Sequence, residues 1–249
     1  AADQLRKVAE WRKRVGADEI RDAVEAGMTP AEWPAMDRLR HLMVFVGTEL
    51  YTHTGDAMFF LSAQGVFDTR PFLRACSDAE WYRVIVHMLE HASYHADRLS
   101  EEKGHLVRWA SVFDARGIEP RHLSPKLLWR FKPALPLADA YYPELIGAMQ
   151  TIHAPQYIYY AWRVVRPFIS TTMQERVNIV DNKRSASYTT ALAALAPPES
   201  IPSVYGGECR TIPAAKTILP INARADDPCL VWKENELGAF LRDAIECDQ

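Results

Sequence analysis

Apolar residues recur along the chain at two spacings, one typical of helices and one typical of buried strands. Residues 5–15 carry an apolar side chain every three or four positions, which predicts an amphipathic helix that ends at Gly16. Short apolar runs bounded by turn residues predict strands. The predicted strands are residues 42–46, 58–61, 108–113 and 177–180, with one more run that ends at Ala154.

Helical patterns separate these strands. Ser77 and Glu80 form a capping box at the start of a long helix that we expect to extend to about residue 100. Because apolar strands alternate with helices, the pattern favours an α/β fold with a mostly parallel sheet and helices packed on it. The further predicted helices are residues 123–131, 138–149, 156–168, 186–195 and 234–245.

The stretch 156–168 is unusual because it is apolar on most of its helical surface. A helix that is apolar nearly all round is either deeply buried or faces lipid. With 13 residues and two internal arginines, Arg163 and Arg166, it is too short and too charged to span a bilayer. We therefore interpret it as a buried helix, or as one that covers an apolar cavity and touches a membrane surface.

Composition narrows the class of protein. A chain of 249 residues with 48% hydrophobic residues and no linker of low complexity favours one compact unit with a sizeable core. The net charge of −3 argues against a nucleic-acid partner. The four cysteines form no C-x-x-C pair, and the charged, amphipathic N-terminus does not read as a secretory signal, so reduced thiols are expected.

The sequence contains few signs of enzyme chemistry. There is no G-x-S-x-G motif, no P-loop and no dinucleotide-binding glycine pattern. His87, His91 and His95 follow one another at intervals of four on a predicted helix, a spacing at which two histidines can hold zinc. They fan across an arc of the helix and do not form the H-E-x-x-H motif of a metalloprotease. We therefore interpret them as packing residues and expect no metal and no catalytic residues.

Several motifs in the second half of the chain resemble the CRAL-TRIO lipid-transfer family. The resemblance extends over residues 108–207, and more thinly over residues 11–71, where residues 11–20 are similar to the helix by which the family's domain begins. The motifs, in order, are Tyr142-Pro143-Glu144, Ile152-x-Ala154-Pro155, Trp162-Arg163-x-Val165-x-Pro167-Phe168, the basic Arg176 before an apolar strand, and Ile201-Pro202-Ser203-Val204-Tyr205-Gly206-Gly207.

The resemblance implies an α/β fold in which a mostly parallel, mixed β-sheet is the floor of an apolar lipid pocket. A gate helix closes the pocket. It also implies a division into residues 1–40, a remnant of an N-terminal helical lobe; residues 41–210, the lipid-binding domain; and residues 211–249, an extension packed on the same unit. The implied gate and pocket residues are Tyr157, Tyr160, Trp162, Val165 and Phe168.

Four further residues match the family's positions for the lipid head group. Arg12, Glu144 and Arg176 match its phosphoinositide positions, where arginines supply directed donors to a phosphate and the carboxylate accepts bonds from inositol hydroxyls. Ser111 matches one of two hydroxyl residues that serve phosphatidylcholine. The other of these positions holds Trp109, whose indole accepts no hydrogen bond, so choline lipids are not favoured.

We therefore expect a protein that binds a phospholipid, phosphatidylinositol first, and transfers or presents it between membranes. The expected partners are that lipid, a transient membrane surface and a lipid kinase or other protein, in the cytoplasm and at its membranes, with no cofactor besides the bound lipid. An alternative is a sensor module that holds another small hydrophobic ligand and regulates a partner protein. An enzyme that uses the histidine row or a Ser/Thr nucleophile is the third hypothesis.

Overall fold

The fold is an α/β arrangement in which helices cover a twisted sheet. The computed structural model describes residues 2–39, 44–62, 69–181, 185–210 and 217–221. The helices are α1 (Ala2–Val15), α2 (Ala17–Glu25), α3 (Met36–Leu39), α4 (Thr69–Ala75), α5 (Asp78–Lys103), α6 (Pro125–Phe131), α7 (Leu137–Tyr141), α8 (Gln156–Val165), α9 (Thr171–Glu175) and α10 (Ser185–Leu195). The strands are β1 (Val44–Tyr51), β2 (Ala57–Ser62), β3 (Trp109–Asp114), β4 (Ile146–Ala154), β5 (Val177–Asp181) and β6 (Thr217–Ile221).

Within the described residues these strands form one sheet in the order β5-β4-β3-β2-β1-β6. Strands β2 to β5 are mutually parallel, whereas β1 lies antiparallel between β2 and β6. Each step between parallel neighbours passes through at least one helix, as a parallel crossover requires. The predicted mostly parallel, mixed sheet with flanking helices is confirmed.

Other elements pack on both faces of the sheet, and successive strand residues point to opposite faces. On one face Trp109 joins a core with residues of α1, α2 and α5, among them Trp11 and Trp81. On the other face Phe60 and Val112 pack with residues of α10 and with the segment around Tyr205. Burial on both faces explains why the central strands read as nearly continuous apolar runs rather than as alternating ones.

One predicted helix is wrong. The segment predicted as a helix over residues 138–149 is instead the short helix α7, which ends at Tyr141, followed by strand β4. Pro143 explains the break, since proline has no N–H for a helix interior and disfavours helical angles in the residue before it. Tyr142 accordingly has φ −127° and ψ 66°, and Glu144 has a positive φ of 61°.

The other predicted elements inside the described residues are present with shifted ends. Ser77 accepts a hydrogen bond from the backbone N–H of Glu80 and begins α5 as the capping pattern predicts. Helix α8 begins where predicted, but Pro167 turns its last residues into a short 3₁₀ helix, Arg166–Phe168. The predicted helix over residues 234–245 lies outside the described residues, and the division into three parts stays a prediction.

Gly207 provides a test of the packing behind the sheet. A Cβ atom at this position would lie 1.9 Å from the carbonyl oxygen of Ile201. We expect Gly207→Ala to lower the free energy of unfolding by about 3 kcal/mol, since overpacking against backbone gives little room to relax. Urea titration measures the change. Gly27→Ala is the control, because Gly27 has a positive φ of 100° but open space around its Cβ position.

Gly27→Ala should lower the free energy of unfolding by about 1–2 kcal/mol, from backbone strain alone. Equal destabilisation in the two variants would mean that the contact between Gly207 and Ile201 does not limit the fold.

Candidate functional site

Four charged residues stand just before four neighbouring parallel strands. Asp56, Arg108 and Arg176 directly precede β2, β3 and β5, and Glu144 stands two residues before β4. Parallel strands begin at the same edge of a sheet, so these side chains line up along that edge with alternating charge. We call the set Asp56, Arg108, Glu144 and Arg176 the charged row.

The charged row is a continuous set of ion pairs. Nε of Arg108 lies 3.2 Å from Oδ1 of Asp56, and its Nη1 lies 3.4 Å from Oε2 of Glu144. Nη2 of Arg176 donates to both carboxylate oxygens of Glu144, at 3.1 and 2.9 Å. Its Nη1 donates to the carbonyl oxygen of Ile146 at 2.6 Å. Glu144 is thus the one carboxylate that both guanidiniums of the row contact.

Burial differs sharply along the row. The side chain of Asp56 is 5% exposed, whereas that of Glu144 is 52% exposed. A Cβ atom on Gly147 would lie 2.5 Å from Oδ2 of Asp56, so a glycine is needed there for Asp56 to approach. The hydrogen bond from Arg176 lowers the pKa of Glu144 below its usual value. Glu144 is therefore an ionised, half-exposed anion held between two arginines, which is where an incoming anionic group would compete.

Arg12, the third predicted head-group residue, lies in another cluster. Its Nη1 and Nη2 lie 2.8 and 3.3 Å from the Glu90 carboxylate, and its Nε lies 2.8 Å from Oδ1 of Asp18. Among the described contacts, Arg12 makes none with Glu144 or Arg176. The hydroxyl of Tyr142 donates to Glu90 at 2.5 Å, and Tyr142 is two residues from Glu144. A short segment therefore connects the two clusters.

Glu90 was not predicted as a functional residue. Its side chain is almost fully buried, and it binds both Arg12 and Tyr142. Burial and the neighbouring Glu90 carboxylate raise the pKa of Tyr142 well above its usual value. Glu90 stands between His87 and His91 in the sequence, but that spacing does not indicate its partners Arg12 and Tyr142. The available signal was a carboxylate among apolar residues, which needs a cationic or hydroxyl partner once it is buried.

Ser111 lies in the middle of an apolar sheet face that is covered only in part by the described residues. Its neighbours in register are Phe59 on β2 and Met149 on β4, and Leu61 and Phe113 follow on the same face. All five side chains are half-buried or exposed. Such a face can accept an apolar ligand, with the Ser111 hydroxyl as its polar group.

Trp109 points to this same face but belongs to the core. It is 2% exposed, and its indole N–H donates to the carbonyl oxygen of Ala92 at 2.8 Å. The indole therefore binds helix α5 through its hydrogen bond and fills the core beside the face. Its size and partner explain why a tryptophan occupies this strand position.

Helix α8 is apolar, yet none of its residues is buried. Tyr157, Ile158 and Phe113 all pack against Ala115 and Ile118, so the helix begins near the C-terminal end of β3. Two tyrosines attach it, since the hydroxyl of Tyr157 donates to the carbonyl oxygen of Ile118 and that of Tyr159 donates to Ile179 at 3.0 Å. The predicted gate residues Tyr160, Trp162 and Val165 on α8, and Phe168 in the 3₁₀ turn after it, are half-buried or exposed.

The histidine row is part of the packing of α5. Nδ1 of His87 contacts the carbonyl oxygen of Arg83 at 2.8 Å, and the two ring nitrogens of His91 contact His87 and Met28 at 3.1 and 3.0 Å. Burial lowers the pKa of each of the three histidines, and that of His95 to about 4. Among the described residues, no group of three His, Cys, Asp or Glu side chains could hold a metal ion.

Comparison with known proteins identifies relatives of this architecture. The model of the CRAL/TRIO domain family matches residues 43–207. The CRAL-TRIO domain-containing protein T23G5.2 of Caenorhabditis elegans is 23% identical over 85% of this chain, and YKL091C of Saccharomyces cerevisiae is 24% identical over 79%. The chain spans 28% and 62% of their lengths. The SEC14 cytosolic factor of Candida glabrata is 28% identical over 49% of this chain and 39% of its own length.

A solved structure has the same fold. The crystal structure of Sfh5 superposes with a TM-score of 0.53 at 13% identity, covering 74% of this chain and 60% of that one. Among the described residues, no helix is long and apolar enough to cross a bilayer.

Proposed function

The chain belongs to the CRAL/TRIO domain family, whose members bind lipids, and we propose that it binds phosphatidylinositol and transfers or presents it between membranes. The observation that carries this proposal is Glu144, a half-exposed carboxylate held between Arg108 and Arg176 at the edge of the sheet. Family members are generally ligand-binding and transfer proteins, and we propose the same of this chain rather than an enzymatic role.

The charged row suits an inositol phosphate head group in two respects. A phosphodiester removed from water needs directed cationic donors, and arginine supplies them in a planar fork. Inositol hydroxyls need acceptors, and an ionised carboxylate is an acceptor only. Arg108 and Arg176 provide the donors, and Glu144 provides the acceptor once the phosphate replaces it on one arginine. Arg108 adds a cation to the predicted set of Arg12, Glu144 and Arg176.

The apolar face and helix α8 suit the acyl chains. Phe59, Phe113 and Met149 present a half-covered apolar surface on the sheet, and Phe113 packs against the same residues, Ala115 and Ile118, as the start of α8. Each buried CH₂ group contributes about 0.8 kcal/mol, so two acyl chains supply most of the affinity. The head group then sets which lipid is chosen. Helix α8 has few buried contacts to lose, which favours it as the element that opens.

We propose that the protein works in the cytoplasm and at the surface of its membranes, and that it delivers lipid to a kinase or another protein partner. Mass spectrometry of the purified protein under native conditions, followed by organic extraction, is the direct test. We expect one phospholipid per chain, with phosphatidylinositol taken up from mixed vesicles in preference to phosphatidylcholine.

Two outcomes would overturn the assignment. A protein that carries no lipid and takes none from vesicles does not have the proposed function. A bound hydrophobic molecule without a phosphate would favour the alternative role, a sensor of a small hydrophobic ligand that regulates a partner.

A further inference from the structure

Large apolar side chains are exposed along α8 and on the neighbouring helix α6. Trp129 of α6 is 67% exposed, and Tyr160, Val164 and Phe168 are each exposed by more than two fifths. Tyr160, Val164 and Phe168 follow one another at intervals of four, which places them in one stripe along α8 and the turn after it. Exposed apolar residues grouped in this way mark an interaction surface.

Lys132 joins the two parts of this surface. Its ammonium nitrogen lies 4.4 Å from the ring centroid of Trp129 and 4.8 Å from that of Phe168. Both distances are within the range of a cation–π contact. Trp129, on α6, is thereby continuous with the stripe on α8. We call Trp129, Lys132, Tyr160, Val164 and Phe168 the aromatic-basic patch.

The two segments that form the patch carry charge of one sign. Residues 125–132 and 156–168 contain five basic residues and no Asp or Glu, although the whole chain has a net charge of −3. Of the five, Arg130 pairs with Asp78 at 2.7 Å. In the described part of the chain, the other four form no ion pair. They are Lys126, Lys132, Arg163 and Arg166.

We propose that the aromatic-basic patch seats on an anionic bilayer, with Trp129 as an anchor that lies outside the gate helix. Aromatic rings with a polar edge favour the depth of the lipid head groups, and lysine and arginine reach from there to anionic phosphates. A second copy of the chain would bring two sets of unpaired cations together, which opposes pairing through this patch. The proposal rests on the proposed function only in that lipid exchange needs such a contact.

Vesicle sedimentation tests the patch. We expect Trp129→Ala to weaken binding to vesicles of phosphatidylcholine with about 30% phosphatidylserine by about tenfold, since a large aromatic surface no longer enters the bilayer. Leu106→Ala is the control, because Leu106 is 59% exposed and lies outside the patch. It should bind within about twofold of the unmodified protein.

A second variant separates charge from apolar contact. Lys132→Gln should weaken binding to the anionic vesicles by about fivefold and leave binding to pure phosphatidylcholine vesicles unchanged, because the bilayer attraction per lysine is electrostatic. Lys13→Gln, an exposed lysine of α1, is its control and should bind normally. Each variant's bound lipid is measured by mass spectrometry, since the patch variants should keep the lipid and lose only vesicle binding.

Three results would overturn the proposal. The first is vesicle binding by Trp129→Ala equal to that of the unmodified protein, and the second is an equal loss of binding in Leu106→Ala. The third is a dimer in sedimentation velocity that Trp129→Ala dissociates, which would make the patch an interface between copies. If no lipid is found in any variant, the proposed function fails, while vesicle binding still decides the role of the patch.

Discussion

Asp114→Ala is expected to lower the free energy of unfolding by about 3–5 kcal/mol, because it removes a buried carboxylate and leaves its partners without an acceptor. Asp114 accepts hydrogen bonds from Nε of Arg116 at 2.9 Å, Nδ1–H of His153 at 3.0 Å and the hydroxyl of Tyr205 at 2.9 Å. It therefore joins the end of β3 to β4 and to the segment that carries Tyr205. Thermal unfolding should show a midpoint lower by roughly 10 °C.

The same carboxylate predicts a pH dependence. Burial alone would raise the pKa of Asp114, but hydrogen bonds from His153 and Arg116 outweigh it and lower the pKa to about 2. A lowered folded-state pKa contributes stability that is present above the unfolded value near 3.9 and lost as the pH falls toward 2, by about 2 kcal/mol. In Asp114→Ala this part of the acid destabilisation should be absent.

Two variants calibrate the effect. Tyr205→Phe removes one hydrogen bond from the group and should cost about 1–2 kcal/mol. Asp97→Ala removes an exposed carboxylate that pairs with Arg21 at 2.9 Å, and should change stability by less than about 0.5 kcal/mol. If Asp114→Ala were as stable as Asp97→Ala, the group around Asp114 would not hold the sheet to the Tyr205 segment.

Much of the fold could be predicted from local pattern. The apolar runs of β2 and β3 and the capping box at Ser77 depend on neighbours in sequence, so a single chain reveals them. The end of α7 was missed because two signals conflict there. Residues 138–149 have helical composition, but Pro143 cannot occupy a helix interior, and the helix therefore ends before it, at Tyr141. The antiparallel pairing of β1 with β6 depends on residues far apart in sequence, which periodicity does not report.

The candidate site also contains residues that the sequence indicates locally and residues that only the fold brings in. Glu144 and Arg176 could be chosen from motif order, and the structure brings them into contact. Asp56 and Arg108 carry no motif, and they join the row only because parallel strands begin at one edge. The signal in the sequence is a charged residue at the start of each parallel strand or within two residues before it. Arg12 was chosen by the same resemblance, but its partner Glu90 comes from a helix 78 residues away.

Helix α8 shows why the apolar composition of residues 156–168 is consistent with two interpretations. An apolar helix is consistent with a core or with a lipid surface, and only its burial separates them. In the structure none of its residues is buried, and Tyr160 is 60% exposed. The finding favours the second possibility, a helix that faces an apolar ligand on one side and a membrane on the other, and it supplies the physical basis for the patch proposed above.

Arg176→Met is expected to lower the transfer of phosphatidylinositol between vesicles by about tenfold to a hundredfold, because a hydrogen bond to a charged group is worth about 1.5–3 kcal/mol. Phosphatidylcholine transfer should change little, because the choline ammonium already balances the charge of its phosphate, whereas phosphatidylinositol carries a net negative charge that needs the arginine. The fold should tolerate the substitution, because Glu144 is half-exposed and keeps its contact with Arg108. Transfer is measured with fluorescent lipids of both head groups in the same vesicles.

Arg98→Met is the matched control. Arg98 also contacts two carboxylates, Glu49 at 3.1 Å and Glu102 at 3.3 Å, but it lies on α5 away from the charged row. Loss of transfer in both variants would indicate a general effect of removing a paired arginine. Equal loss of both lipids in Arg176→Met would place the arginine in a step common to all ligands, such as the movement of α8. Only a loss confined to phosphatidylinositol supports the charged row as the part that recognises the head group.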